Sequence, residues 1–97
     1  MKALLLALAI TLGADNITTC TNKLNRATVD LKTATILYSW KEYQKSLRYM
    51  QSSYDNREDA KKLCSDELNA SGTLNLVNIQ QMELKDTITI LKERLAR

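Results

Sequence analysis

From residue 74 onward, apolar side chains recur at alternating steps of three and four: Leu74, Val77, Gln81, Leu84, Ile88, Leu91 and Leu95. This heptad seam has one polar member, Gln81. It predicts an amphipathic helix over 74–96 that packs on a neighbour along a single stripe. Lys92, Arg94 and Arg97 fall in its last turn, where cations complement the negative end of the helix dipole. Just upstream, Asn69-Ala-Ser-Gly-Thr73 gathers turn-forming residues around a glycine, so the chain is expected to reverse there.

Between residues 17 and 69 the period is also helical, but the stripe changes midway. Ile17, Cys20, Leu24, Ala27, Leu31, Ala34 and Tyr38 form one run, while Val29, Thr33, Ile36, Trp40, Tyr43, Leu47, Met50 and Tyr54 form another. On one unbroken helix, Tyr38 and Tyr49 would lie roughly 160–180° around the axis from Trp40. A helix apolar on two sides is expected to be sandwiched between neighbours, within the chain or between chains. Asp55-Asn-Arg-Glu58 has the spacing of a capping box, with Asp59 and Lys61-Lys62 following, which predicts a helix start and a turn near Ser52 to Asp55. The expected fold is therefore all-α: a small helical bundle or helical hairpin with coiled-coil-like seams. Its three helices cover about 17–51, 56–69 and 74–96, and the rival arrangement leaves the first two continuous.

Composition supports that class. Proline is absent and glycine occurs only at Gly13 and Gly72, too few breakers for a β-sandwich or an α/β fold. With 44% hydrophobic and 26% charged residues the chain is expected to fold. At 97 residues it is one small domain, for which a covalent staple or a partner would add needed stability.

The opening MKALLLALAITLGADN sets one lysine before an apolar run from Ala3 to Leu12 and then the small residues Gly13 and Ala14, the order of a secretory leader. Residues 1–14 are read as a signal peptide and 15–97 as a single helical domain. A retained anchor is the lesser reading, since a span takes about 20 apolar residues. The expected location is exported, periplasmic or secreted. Asn16-Ile-Thr18 and Asn69-Ala-Ser71 are glycan acceptors only on a eukaryotic route.

Export bears on the two cysteines, Cys20 and Cys64, because an oxidising compartment favours pairing. If the chain turns near residue 53, Cys64 lies opposite residue 42, roughly 33 Å of helix from Cys20. The intramolecular bond then requires residues 20–28 to run as an extended arm back to Cys64. A bond between chains and two free thiols are the alternatives.

Charge narrows the partners. The net +3 is small, but residues 16–50 carry six bases against Asp30 and Glu42, whereas residues 51–70 carry three bases against five acids. Interspersed acids make nucleic acid an unlikely partner in the expected reading. Without histidine, a Cys/His set or a glycine-rich loop, no metal, cofactor or enzymatic activity is expected. The carboxylate pairs Glu58-Asp59 and Asp66-Glu67 point about 100° apart on a helix and read as solvated or capping charges.

All five aromatic residues, four Tyr and one Trp, fall within residues 38–54. The candidate partner-binding residues are Tyr38, Trp40, Lys41, Tyr43, Lys45, Leu47, Arg48, Met50 and Tyr54. Trp40, Tyr43, Leu47, Met50 and Tyr54 would make an apolar seam, with Lys41, Lys45 and Arg48 a basic stripe beside it. This pattern fits a plain core with a solvated side, and it also fits a recognition face. The expected function is binding or assembly, with the face presented to a protein partner or a second copy and the cations steering an acidic rim. The other reading is a peripheral membrane or envelope-perturbing protein acting on anionic lipid. No family signature can be quoted residue by residue.

Overall fold

The computed structural model describes the backbone of residues 4–97 and the side chains of residues 17–97. The leader expected over residues 1–14 lies outside the fully described residues. The chain forms three helices, α1 (Leu4–Ser39), α2 (Tyr43–Ala70) and α3 (Thr73–Ala96). The all-α bundle expected from the heptads is the observed architecture, and close backbone approach joins α1 to α2 and α2 to α3.

The first reversal is not where the capping-box spacing puts it. No turn occurs at Ser52 to Asp55: α2 runs through them, and Asp55 accepts a hydrogen bond from Gln51 Nε2 at 3.1 Å, one helical turn away. The chain turns instead at Trp40-Lys41-Glu42. There the Glu42 N–H donates to the Leu37 carbonyl at 2.9 Å and the Lys41 N–H to the Tyr38 carbonyl at 2.9 Å. This 6→1 and 5→2 pair is a Schellman motif, which requires a left-handed residue at its penultimate position. Lys41 supplies it with φ 64°, where glycine would sit without a Cβ clash. Lys41→Gly is therefore expected to raise stability by about 0.5–1 kcal/mol, read from the urea midpoint. The second reversal lies where the glycine signalled it, with Gly72 at φ 79°.

Moving the turn to residue 41 changes what faces what. Along α1, Cys20, Ala27 and Ala34 are buried at seven-residue spacing, and along α2 Ser46, Ser53 and Ala60 repeat the interval. Ser46 Oγ donates to the Ala34 carbonyl at 2.7 Å and Ser53 Oγ to the Ala27 carbonyl at 2.7 Å. A short hydroxyl reaches a neighbouring helix backbone only where the two helices are very close. The small residues make that approach sterically available, and each hydroxyl satisfies its own burial. Ser53 is thus a packing residue, not a turn former, which is why α2 passes straight through it.

In this register Cys64 stands across from Cys20, and the two form a disulfide with Cα atoms 6.4 Å apart. The extended arm over residues 20–28 is not needed, and that segment is helical. The intramolecular bond is the one formed. It ties α1 to α2 at the end away from the turn, and α2 carries non-helical backbone at Cys64 (φ −146°, ψ 46°).

α3 closes the bundle with the stripe its heptad marked: Val77, Gln81, Leu84, Ile88 and Leu91 are buried. Two apolar clusters result. One joins Ala34, Met50, Leu84, Ile88 and Leu91, with Leu31, Tyr43, Leu47 and Tyr54 packed against it. The other joins Cys20, Ala60, Cys64 and Leu68, with Leu24 and Leu74 against it. Fully burying one such Leu or Ile side chain contributes roughly 1.5–3 kcal/mol.

Between the clusters runs a polar layer. Arg57, 3% exposed, donates from Nε to Gln80 Oε1 at 3.0 Å and from Nη1 to the Ser53 hydroxyl. Burial lowers its pKa below the usual guanidinium range. Gln81 donates to Glu58 Oε1 at 3.1 Å and accepts from Lys61 Nζ at 2.7 Å. The Gln81 hydrogen bond, followed by the nearby Lys61 charge, holds the Glu58 carboxyl below its usual pKa. The single polar member of the α3 heptad is therefore explained by a layer in which all buried side-chain polar atoms are partnered.

Candidate functional site

Two antiparallel reversals bring the α1–α2 turn and the last turns of α3 to the same end of the bundle. Tyr38 shares a shallow groove there with Thr87, Ile90, Leu91 and Arg94. Within residues 36–49 and 90–97 this end carries Lys41, Lys45, Arg48, Lys92, Arg94 and Arg97 against Glu42 and Glu93, six cations to two carboxylates. The opposite end, residues 17–28 and 57–80, is nearly balanced, with five cations (Lys23, Arg26, Arg57, Lys61, Lys62) to four carboxylates (Glu58, Asp59, Asp66, Glu67). The charge asymmetry of the sequence thus becomes an asymmetry along the bundle axis.

At the apex of the basic end stands Trp40. The residue is 69% exposed because it occupies the turn, beyond the last residue of α1 and before the first of α2. An indole left that far out of the core keeps a large apolar area in water, which is unfavourable unless a partner covers it. Behind it, Tyr38 and Tyr43 meet edge to face with ring centroids 5.1 Å apart, bracing the two helix ends beneath the turn.

The expected seam from Trp40 to Tyr54 is divided by the fold. Met50 is buried, and Tyr43, Leu47 and Tyr54 are half-buried against the core, so these four face inward toward α1 and α3. Tyr38, Trp40, Lys41, Lys45 and Arg48 remain exposed. The helix with two opposite apolar faces is likewise not observed, since the turn at 40–42 ends α1 and restarts the helical phase. Val29 and Ile36, which belonged to the same stripe, are exposed on α1.

Along the side of the bundle, from this basic end toward the opposite one, α1 and α2 enclose a groove of about 460 Å³ lined by Arg26, Asp30, Lys45, Arg48, Tyr49 and Ser52. Asp30, 4% exposed, forms its floor and accepts from Ser52 Oγ at 2.6 Å and Asn56 Nδ2 at 3.2 Å, with Arg26 Nε 3.7 Å away. Lys45 lies 3.9 Å from Glu42, while Arg48 has no carboxylate within salt-bridge distance among the described residues. Arg26, Asp30, Tyr49 and Ser52 are absent from the sequence-derived set. Arg26 and Asp30 are separated from residues 45–52 by the turn, and nothing short of the register unites them.

Among the described residues there is no group of side chains arranged to hold a metal ion, and no helix long and apolar enough to cross a membrane. Asn69 is exposed in the last turn of α2, and the side chain of Asn16 lies outside the described residues. Comparison with protein families, with curated proteins and with solved structures finds no match to this chain.

Proposed function

We propose that this chain is a small exported, non-enzymatic helical protein that attaches through the Trp40 end of its bundle to an anionic membrane surface. The observation that carries the reading is the isolation of Trp40: the rest of its seam packs against the core, and the bundle end around it carries an excess of cations. Indole side chains favour the headgroup boundary, and each nearby Lys or Arg adds attraction to anionic lipid worth about 1 kcal/mol. Export is supported by the Cys20–Cys64 disulfide, a bond that persists in oxidising compartments. A protein partner is the second reading, favoured by Leu76, Ile79, Met82 and Ile90, which expose apolar surface on the outer side of α3.

Because Trp40 is the only tryptophan, its fluorescence reports on this one site. Vesicles containing phosphatidylglycerol are expected to shift its emission to the blue and added salt to reverse the shift, whereas vesicles of phosphatidylcholine alone leave it in place. Trp40→Ala should weaken sedimentation with the anionic vesicles by about tenfold or more while leaving the melting temperature almost unchanged, since little contact area is lost. An unshifted emission maximum on anionic vesicles would overturn the membrane reading in favour of a protein partner.

A further inference from the structure

The groove between α1 and α2 has a composition that the membrane reading does not use. Three cationic residues line it, Arg26, Lys45 and Arg48, together with Tyr49. Its one acid is turned inward and already engaged: Asp30 is held by Ser52, Asn56 and Arg26. Arg26 approaches that carboxylate through Nε alone, and the rest of its side chain is largely exposed. Three cations and one carboxylate leave a net charge of +2 in the groove (3 − 1).

We infer that this groove is a binding site for a phosphomonoester group. A phosphomonoester carries between one and two negative charges near neutral pH and offers three strong acceptor oxygens. Arg48, without an acid of its own, supplies a planar fork suited to two of those oxygens. Arg26 meets the group from the opposite wall, and Lys45 and Tyr49 complete the donors. A phosphodiester matches the charge less well and presents fewer oxygens, so the site discriminates between the two.

A lipid headgroup is one source of such a group, and this part of the inference rests on the membrane reading. At 1.5 Å per helical residue, Lys45 lies roughly 8 Å, Arg48 roughly 12 Å and Arg26 roughly 21 Å behind Trp40 along the axis. The headgroup layer is roughly 5–8 Å deep on each side of the hydrocarbon. With Trp40 at the hydrocarbon boundary, Lys45 and Arg48 are the groove cations nearest the phosphate level and Arg26 the farthest from it. Free phosphate offers the same chemistry, and the two sources separate experimentally.

The oxidised full-length domain would be titrated with inorganic phosphate at constant ionic strength while its backbone amide resonances are followed. The expected result is saturable shifts confined to Arg26, Lys45, Arg48, Tyr49 and Ser52, lost in the Arg26→Gln, Tyr49→Phe double variant. Vesicles of phosphatidic acid and of phosphatidylglycerol, matched in surface potential, would then be compared. A headgroup source predicts about tenfold tighter binding to phosphatidic acid, and loss of that preference in the double variant. Localised phosphate shifts with equal binding to both vesicles would support the site with free phosphate as its ligand. Absence of localised shifts together with equal vesicle binding would overturn the inference. In that case a blue-shifted Trp40 emission on phosphatidylglycerol would still leave the membrane reading standing, and its absence there would remove that reading as well.

Discussion

Leucine at both Ala27 and Ala34 is expected to unfold the bundle at room temperature. The two alanines are fully buried where α1 meets α2, and their carbonyls accept the Ser53 and Ser46 hydroxyls at 2.7 Å. A leucine side chain at either site must push the helices apart, a strain of about 1–3 kcal/mol per position. Separation also strands a buried serine hydroxyl, which adds roughly 1–3 kcal/mol for each bond broken. The combined loss is comparable with the roughly 5–15 kcal/mol that holds a domain of this size together. Circular dichroism should show lost helicity or a collapse of the melting transition. A melting temperature lowered by less than about 8 °C, the equivalent of about one kcal/mol, would mean that the seam is not closely packed.

Reduction of the Cys20–Cys64 bond, or Cys20→Ser with Cys64→Ser, is expected to lower the melting temperature by roughly 15–30 °C. The bond spans 44 positions in sequence, and releasing a loop of that length into the unfolded ensemble corresponds to about 4 kcal/mol. The loss is large relative to the whole because small domains depend on such staples. The reduced hairpin is expected to open from the end where the bond sits, since the Schellman turn holds the other. Hydrogen exchange should quicken first around Cys20, Ala60 and Cys64 while amides near Ala34 and Ser46 stay protected. Titratable thiols in the unreduced protein would remove the basis for the prediction, and disulfide-linked dimers would mean that the register is met between chains.

These two perturbations act on the contact that also builds the groove. Arg26 and Asp30 meet Arg48 and Ser52 only because α1 and α2 pair in one register, so a variant that loosens the seam should lose phosphate response before it loses helicity. Trp40 depends on the turn alone.

The chain's own pattern determined the helical class, the α3 stripe and the reversal at Gly72, because each is set by local periodicity or by a residue whose backbone freedom marks it. Val77, Gln81, Leu84, Ile88 and Leu91 occupy the core as their spacing requires, and Gly72 takes the left-handed conformation. The first reversal was not legible, because Ser39-Trp-Lys-Glu42 contains no Gly, Pro, Asn or Asp and its left-handed residue is a lysine. The stronger local signal at Ser52 to Asp55 was overridden by packing: Ser53 serves a neighbouring helix rather than a turn. One long-range clue was present, since Cys20 and Cys64 are equidistant from residue 42, and a bonded antiparallel hairpin must turn near that midpoint. Only the tertiary register decided which aromatics are core and which are surface. Tyr43, Leu47, Met50 and Tyr54 share Trp40's helical period, but α3 covers them and cannot cover a residue that lies in the turn beyond the helix ends.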